Sequence, residues 1–338
     1  MTLRSFAKDL KRLWRKESAP VPEPVPGPMT ELAPPQAPEP AATAPSGNLL
    51  DHFFCEFDAR ALLRAYAHPK RKPKPGFVTN FLGVEIAPKI YPPILSALSG
   101  SLEDIPNPGN WHADIAEWAA ALRSVDCASE SYRLVELGCG WGCWMVNMGA
   151  AARRRGLQLD LRGIEGDAGH LAHARETLLH NGFRRGEFTL LHGIAAPKAG
   201  LAIFPAPEQG SAHWGGAPEF DPSPERLAKA REERGLQILN CYTLEQISGN
   251  RPIDLLHIDI QGGEADYVEG NSKSMAALVK RVLIGTHSRE IEGRLFAHFQ
   301  NQGWLLEMER PAYAPPINGI AQIRIDGVQC WRNPAFKA

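Results

Sequence analysis

Nine residues, Val135-Glu136-Leu137-Gly138-Cys139-Gly140-Trp141-Gly142-Cys143, constrain the fold of this chain more than any others. An apolar, β-prone run carries an acid, three glycines follow at a spacing of two, and a segment of helical character begins. That order spells strand, tight turn and helix N-terminus. Glycine has no Cβ and tolerates positive φ, so a ligand can approach the turn closely and meet the N–H groups behind it. The spacing is G-x-G-x-G. A dinucleotide fingerprint reads G-x-G-x-x-G, and its third glycine would stand at Cys143. The turn therefore points to a nucleoside ligand without a pyrophosphate, of which S-adenosylmethionine is the commonest. A turn of purely structural use is the alternative.

Composition narrows the class. The chain has 338 residues, 43% hydrophobic and 22% charged, enough for one large domain or two smaller ones. A net charge of -1 offers no global basic field, so nucleic acid is not expected as a partner. Six cysteines are scattered with no C-x-x-C pair, which suits a reducing, cytoplasmic setting. Cys139 and Cys143 read as small apolar fillers. No run approaches the roughly 20 apolar residues of a membrane span, and the charged N-terminal stretch does not read as a signal peptide.

Four segments follow in order. Residues 1–18 contain a basic amphipathic helix over 3–16, where Leu3, Phe6, Leu10, Leu13 and Trp14 recur at helical spacing among lysines and arginines. Such a helix suits an anionic membrane surface or a partner groove, with a solvated terminus as the bland reading. Residues 19–47 form a Pro-rich linker with no core pattern. Residues 48–125 read as a helical lead-in, or cap, with helices over 51–66 and 111–125, and a strand or extended arm over 77–86. The run Lys70-Arg71-Lys72-Pro73-Lys74 reads as a solvated loop.

From 126 to 338 strands alternate with helices. Strands are expected at 134–137, 159–164, 188–192, 253–259 and 281–285, with more β material at 301–308 and 320–331. Helices are expected from the glycine turn to about Arg155, closed by Gly156, and over 171–180. This alternation predicts an α/β fold with a doubly wound, mainly parallel sheet. Ligands in such sheets bind at the carboxyl ends of the strands, near the switch point.

The informative polar residues fall at those ends. Glu136 can accept from a ligand ammonium, directly or through water. Glu165 ends the second strand, where a carboxylate can take both ribose hydroxyls; a helix-terminal charge is its structural reading. Gly193 and Ile194 can meet a base edge. The fourth strand ends Asp259-Ile260-Gln261-Gly262-Gly263-Glu264. Asp259 can orient a transferring group or take a proton, while Glu264 borders the site or caps the next helix. His257, inside the strand, reads as a satisfied core histidine. His287, after the fifth strand, has an ordinary pKa near 6.5 that makes it usable as a general base at neutral pH.

The set VELGCGWG, GIEGD, IDLLHIDIQGGE and VLIGTHSREIE with FQNQGW resembles the FkbM family of class I methyltransferases, over roughly residues 130–332. The segment IDLLHIDIQGGEADYVEG is the most family-specific piece. The resemblance implies a seven-stranded Rossmann-like sheet. It also implies methyl transfer from S-adenosylmethionine, usually to a hydroxyl of a sugar, polysaccharide or secondary metabolite. Carried over by position, Glu136, Gly138, Gly140, Gly142 and Glu165 bind the cofactor, and Asp259 and Glu264 border the reaction. Two departures bear on the base. His257 stands where lysine is frequent, and GTHS replaces an acid-containing ending.

Residues 198–236 look like a long insertion between the third and fourth strands, a candidate lid or binding loop. Its Trp214 can stack on a sugar face, with His213 beside it. Trp111, His112 and Glu117 can close the pocket from the lead-in. The expected partner is a small-molecule or glycan acceptor. A divalent ion held by Asp259, Glu264 and His287 is a second enzymatic reading that no ligand spacing demands. A membrane- or assembly-tethered binding protein without catalysis is a third.

Overall fold

The computed structural model describes residues 48–206 and 214–336. The amphipathic stretch 3–16, the linker 19–47 and His213 lie outside the described residues. Seven strands run through the main sheet: β1 Ser131–Leu137, β2 Gln158–Glu165, β3 Phe188–His192, β4 Leu255–Ile258, β5 Arg281–Thr286, β6 Leu305–Arg310 and β7 Gly327–Arg332. Their order is β6-β7-β5-β4-β1-β2-β3. The five strands β1 to β5 pair in parallel, and β7 inserts antiparallel between β5 and β6. Phe54–Cys55 adds an eighth, two-residue edge strand on β6. The expected doubly wound α/β sheet is present, one edge strand wider than the resemblance implies.

Register decides which side chains reach which layer. Leu255 pairs with Leu134, and the ladder ends with Ile258 beside Leu137. Leu134, Leu255 and Leu283 share one face and pack with α2 (Ile115–Asp126) and α3 (Cys143–Arg154), which follow α1 (Ala59–Tyr66). Val135, Leu137, Leu256, Ile258, Val282 and Ile284 share the other, in the cluster built with α4 (Glu264–Gly270), α5 (Ser272–Leu278) and α6 (Arg289–Asn301). Every residue of β4 is buried, as a central parallel strand covered on both faces requires.

The lead-in belongs to this core. Ile115, Trp118 and Leu122 are buried in the cluster that holds Leu134 and Leu255, and Phe54–Cys55 joins the sheet. The helix expected over 51–66 is shorter, Ala59–Tyr66, because Asp58 caps it by accepting the Ala61 N–H. The segment 77–86 is a small hairpin of Val78–Thr79 and Glu85–Ile86.

The insertion is also more ordered than a loop. Gly200–Pro205 and Leu236–Tyr242 pair antiparallel, flanked by Ile194–Ala195 and Glu219–Phe220, in a second, four-stranded sheet. The alternation in Leu236-Gln237-Ile238-Leu239 is a strand signal that a lid reading passes over. Among the described residues no helix is long and apolar enough to cross a membrane.

Candidate active site

The glycine turn sits at the switch point between β1 and β4, where the sheet changes direction. Gly138, Gly140 and Gly142 all have positive φ, at 68°, 50° and 78°. A Cβ on Gly138 would overlap the carbonyl oxygen of Asp259, and one on Gly140 would come to 3.0 Å of the Trp214 ring. The first glycine thus lets the two strand ends meet, and the second keeps the turn open beneath an aromatic plate. Helix α3 starts at Cys143 without a side-chain cap of its own. Glu136 supplies one from the strand: its carboxylate accepts the N–H groups of Trp144 at 3.3 Å and Met145 at 2.9 Å. Burial pushes Glu136 up to about 8, against the pull of those two N–H groups. Each Glu136 oxygen thus serves the helix with one lone pair, and the residue also lines the cavity at the turn.

Glu165 is where the sequence placed it, at the end of β2. One oxygen accepts the Gly140 N–H and the other the Asp167 N–H, both at 2.8 Å. The carboxylate is therefore locked to the rim of the glycine turn. Gly166, next to it, lets Phe204 and Ile194 pack directly on the backbone, where a Cβ would clash with both, and both side chains line the cavity on that side.

Asp259, Glu264 and His287 come together at the ends of β4 and β5. His287 Nε2 lies 3.4 Å from Asp259 Oδ1, and its Nδ1 lies 3.0 Å from Glu264 Oε1. Glu264 has a fully buried side chain, and its Oε1 also accepts the Ile260 and Gly262 N–H groups. It therefore positions His287 and the turn. The catalytic role expected for it is corrected, because its carboxylate faces inward, behind the imidazole. Burial works against a charge on His287, but the pairing with Glu264 and the Asp259 carboxylate outweigh it and hold the group up at about 9. His287 is then an imidazolium at neutral pH, which corrects its reading as a ready-made base. Asp259 is the group that faces the cavity, its side chain 43% exposed. Its surroundings raise its pKa, through burial first, against the neighbouring histidines. Gln261 holds it through Nε2 at 3.1 Å, from a backbone with φ of 58°.

One cavity of about 1410 Å³ takes in the glycine turn, Glu165, Asp259, His287 and the lead-in. Pockets for one ligand run to roughly 1,000 Å³, so two ligands fit side by side. Tyr91, Trp111 and Trp141 stack along one wall, with centroids 6.4 Å and 5.8 Å apart. His112 meets Trp141 edge-on, and Glu117 and His257 lie deeper. The structure thus brings Trp111, His112 and Glu117 to the cavity. Trp214 is there too, but it stacks on His170 at 3.9 Å and lies over Gly140. That puts it on the glycine-turn side of the cavity. Sequence reasoning missed Arg310, which lines the inner end and pairs with the buried Asp114 across 196 positions. Nothing local signals such a partner.

A curated protein of Jannaschia sp. (strain CCS1), described as "Putative methyltransferase", is 53% identical over 262 residues, 78% of this chain and 94% of its own. The chain belongs to this methyltransferase family. No family model matches it. Methyltransferase FkbM from Methylobacillus flagellatus KT superposes with a TM-score of 0.40 and 11% identity, over 64% of this methyltransferase and 54% of that chain. Precorrin-6y C5,15-methyltransferase from Geobacter metallireducens GS-15 gives 0.37 and 9%, over 67% and 90%. Superpositions this loose place no residue; the class of fold follows from the strand order itself.

Proposed function

We propose that this methyltransferase uses S-adenosylmethionine to methylate a hydroxyl of a sugar, polysaccharide or secondary metabolite, as the FkbM-like motifs suggest. The observation that carries the reading is the single cavity joining the glycine turn to the aromatic wall, with Asp259 between them. The residues suit the cofactor. Gly138 and Gly140, both at positive φ, line the cavity beside Glu165; Glu165 offers its remaining lone pairs to a ribose, and Phe204 and Ile194 flank a base. When bound, the cofactor supplies an electrophilic methyl group on sulfur.

The rest is the protein's part. Proximity and alignment do most of it, since the acceptor oxygen must sit in line with the methyl group. Asp259, which faces the cavity, takes the hydroxyl proton. The His287 imidazolium, pinned by Glu264, orients Asp259 and offsets its charge. Trp214 covers the turn. Incubation with S-adenosylmethionine and a fractionated glycan or metabolite extract, read by mass spectrometry, tests this. A product heavier by one methylene is expected, formed about a hundredfold or more slowly with Asp259→Asn.

One geometric fact supports a second reading. Asp259, Glu264 and His287 can each offer a ligand atom within 4.8 Å of the others, so a divalent ion can assist the same transfer. Activity lost to a chelator and restored by magnesium supports it; activity indifferent to chelation removes it.

A further inference from the structure

On the sheet face lined by Leu134, Leu255 and Leu283, two polar residues interrupt the apolar rows: Glu136 and its register neighbour His257. Glu136 is engaged in capping α3. His257 has no hydrogen-bonding role of that kind. It is 3% exposed, and no protein group bonds either ring nitrogen. A buried polar group without a partner is costly, and an apolar strand residue here would avoid that cost. Its ring centroid lies 5.4 Å from that of Trp144, and its Nε2 lies 3.9 Å from the Glu117 carboxylate. Glu117 and His257 both line the cavity, and so does Trp111, whose buried Nε1 also has no protein acceptor. Strand alternation sends His257 and Asp259 to the same side, about 7 Å apart along the chain.

We infer that His257 and Glu117 bind a second, non-reacting hydroxyl of the acceptor, so that the acceptor carries at least two hydroxyls and His257 sets which one meets Asp259. The inference rests on the methyl-transfer reading above. A hydroxyl both donates and accepts, as a neutral imidazole does through its two nitrogens. Both side chains are largely enclosed, His257 4% and Glu117 17% exposed, with their polar atoms turned to each other and to the cavity, an arrangement matched to a hydroxyl held between them.

The test uses the full chain saturated with S-adenosylhomocysteine. Methyl glucopyranoside and cyclohexanol are titrated in, followed by calorimetry and by the His257 ring carbon resonance. The polyol is expected to shift that resonance and to bind more tightly than the single alcohol. Glu117→Leu and His257→Phe each weaken the polyol about tenfold and abolish the preference, while Glu117→Gln restores it. S-adenosylhomocysteine affinity stays the same in all of them. A resonance indifferent to the polyol, equal affinities for the two probes, or a preference that survives in both His257→Phe and Glu117→Leu overturns the inference and leaves methyl transfer standing. Failure of the wild-type chain to bind S-adenosylhomocysteine overturns both.

Discussion

Gly138→Ala should damage this protein in a way that a matched glycine substitution does not. The position has φ of 68°, and a Cβ there would sit inside the 3.0 Å limit from the Asp259 carbonyl oxygen. Two costs add. An alanine in the left-handed region loses about 1–2 kcal/mol, and forcing β1 and β4 apart costs a further 1–3 kcal/mol, about what overpacking a core does. The total is about 2–5 kcal/mol. Gly156→Ala is the control. Its φ is 77°, but nothing lies within 4 Å of its Cβ position, so only the conformational cost applies. At about 2.1 cal/mol/K per residue, each kcal/mol moves Tm of a chain this size by about 1.5 °C. Thermal unfolding should therefore fall by about 1.5–3 °C in Gly156→Ala and about 3–7 °C in Gly138→Ala. Because the displaced backbone is that of Asp259, turnover should fall in Gly138→Ala alone. Equal melting temperatures for the two variants, with equal turnover, would refute the claim that this glycine exists to let the strand ends meet.

Asp259→Asn should lower kcat by about a hundredfold or more, the usual worth of a positioned base, with S-adenosylmethionine affinity little changed in calorimetry. His287 makes stability depend on pH. Its folded pKa of about 9 is above the ordinary value, so its contribution is full below pH 6.5 and is lost as pH rises through 9. That contribution is of the order of 3 kcal/mol. Denaturant unfolding of wild type and His287→Gln should therefore converge between those pH values, and a constant gap would count against the pairing. Arg310→Met leaves the Asp114 carboxylate buried without its partner and should destabilise by about 3–5 kcal/mol; a loss under 1 kcal/mol would show the pair to be inessential.

Much of this site was legible in the chain because strand ends and glycine turns are local signals. Glu165, Asp259 and His287 lie where alternating strands and helices place carboxyl-terminal residues. Their partners were less legible. That Glu136 serves α3, and that Glu264 lies behind His287, depends on which atoms meet across the turn, which spacing does not encode. The pKa of His287 followed the same hidden contacts. That the lead-in also packs on the sheet was not legible, because its apolar helix α2 shows nothing in sequence of the sheet face it covers. The insertion read as a lid because its strands pair with each other, outside the main alternation. His257 read as a core residue and is buried as expected, but burial says nothing of its unmet nitrogens.

Calorimetric titration with S-adenosylmethionine tests the central claim most directly, in wild type and in Glu165→Ala. Glu165 holds the Gly140 N–H and faces the proposed ribose site. Its removal should cost the hydrogen bonds of a charged group, about 1.5–3 kcal/mol, so affinity should fall about tenfold to a hundredfold. One binding site in the wild type, weakened by that amount in the variant, is the predicted result. No binding in the wild type, or equal affinity in the two proteins, would contradict the account.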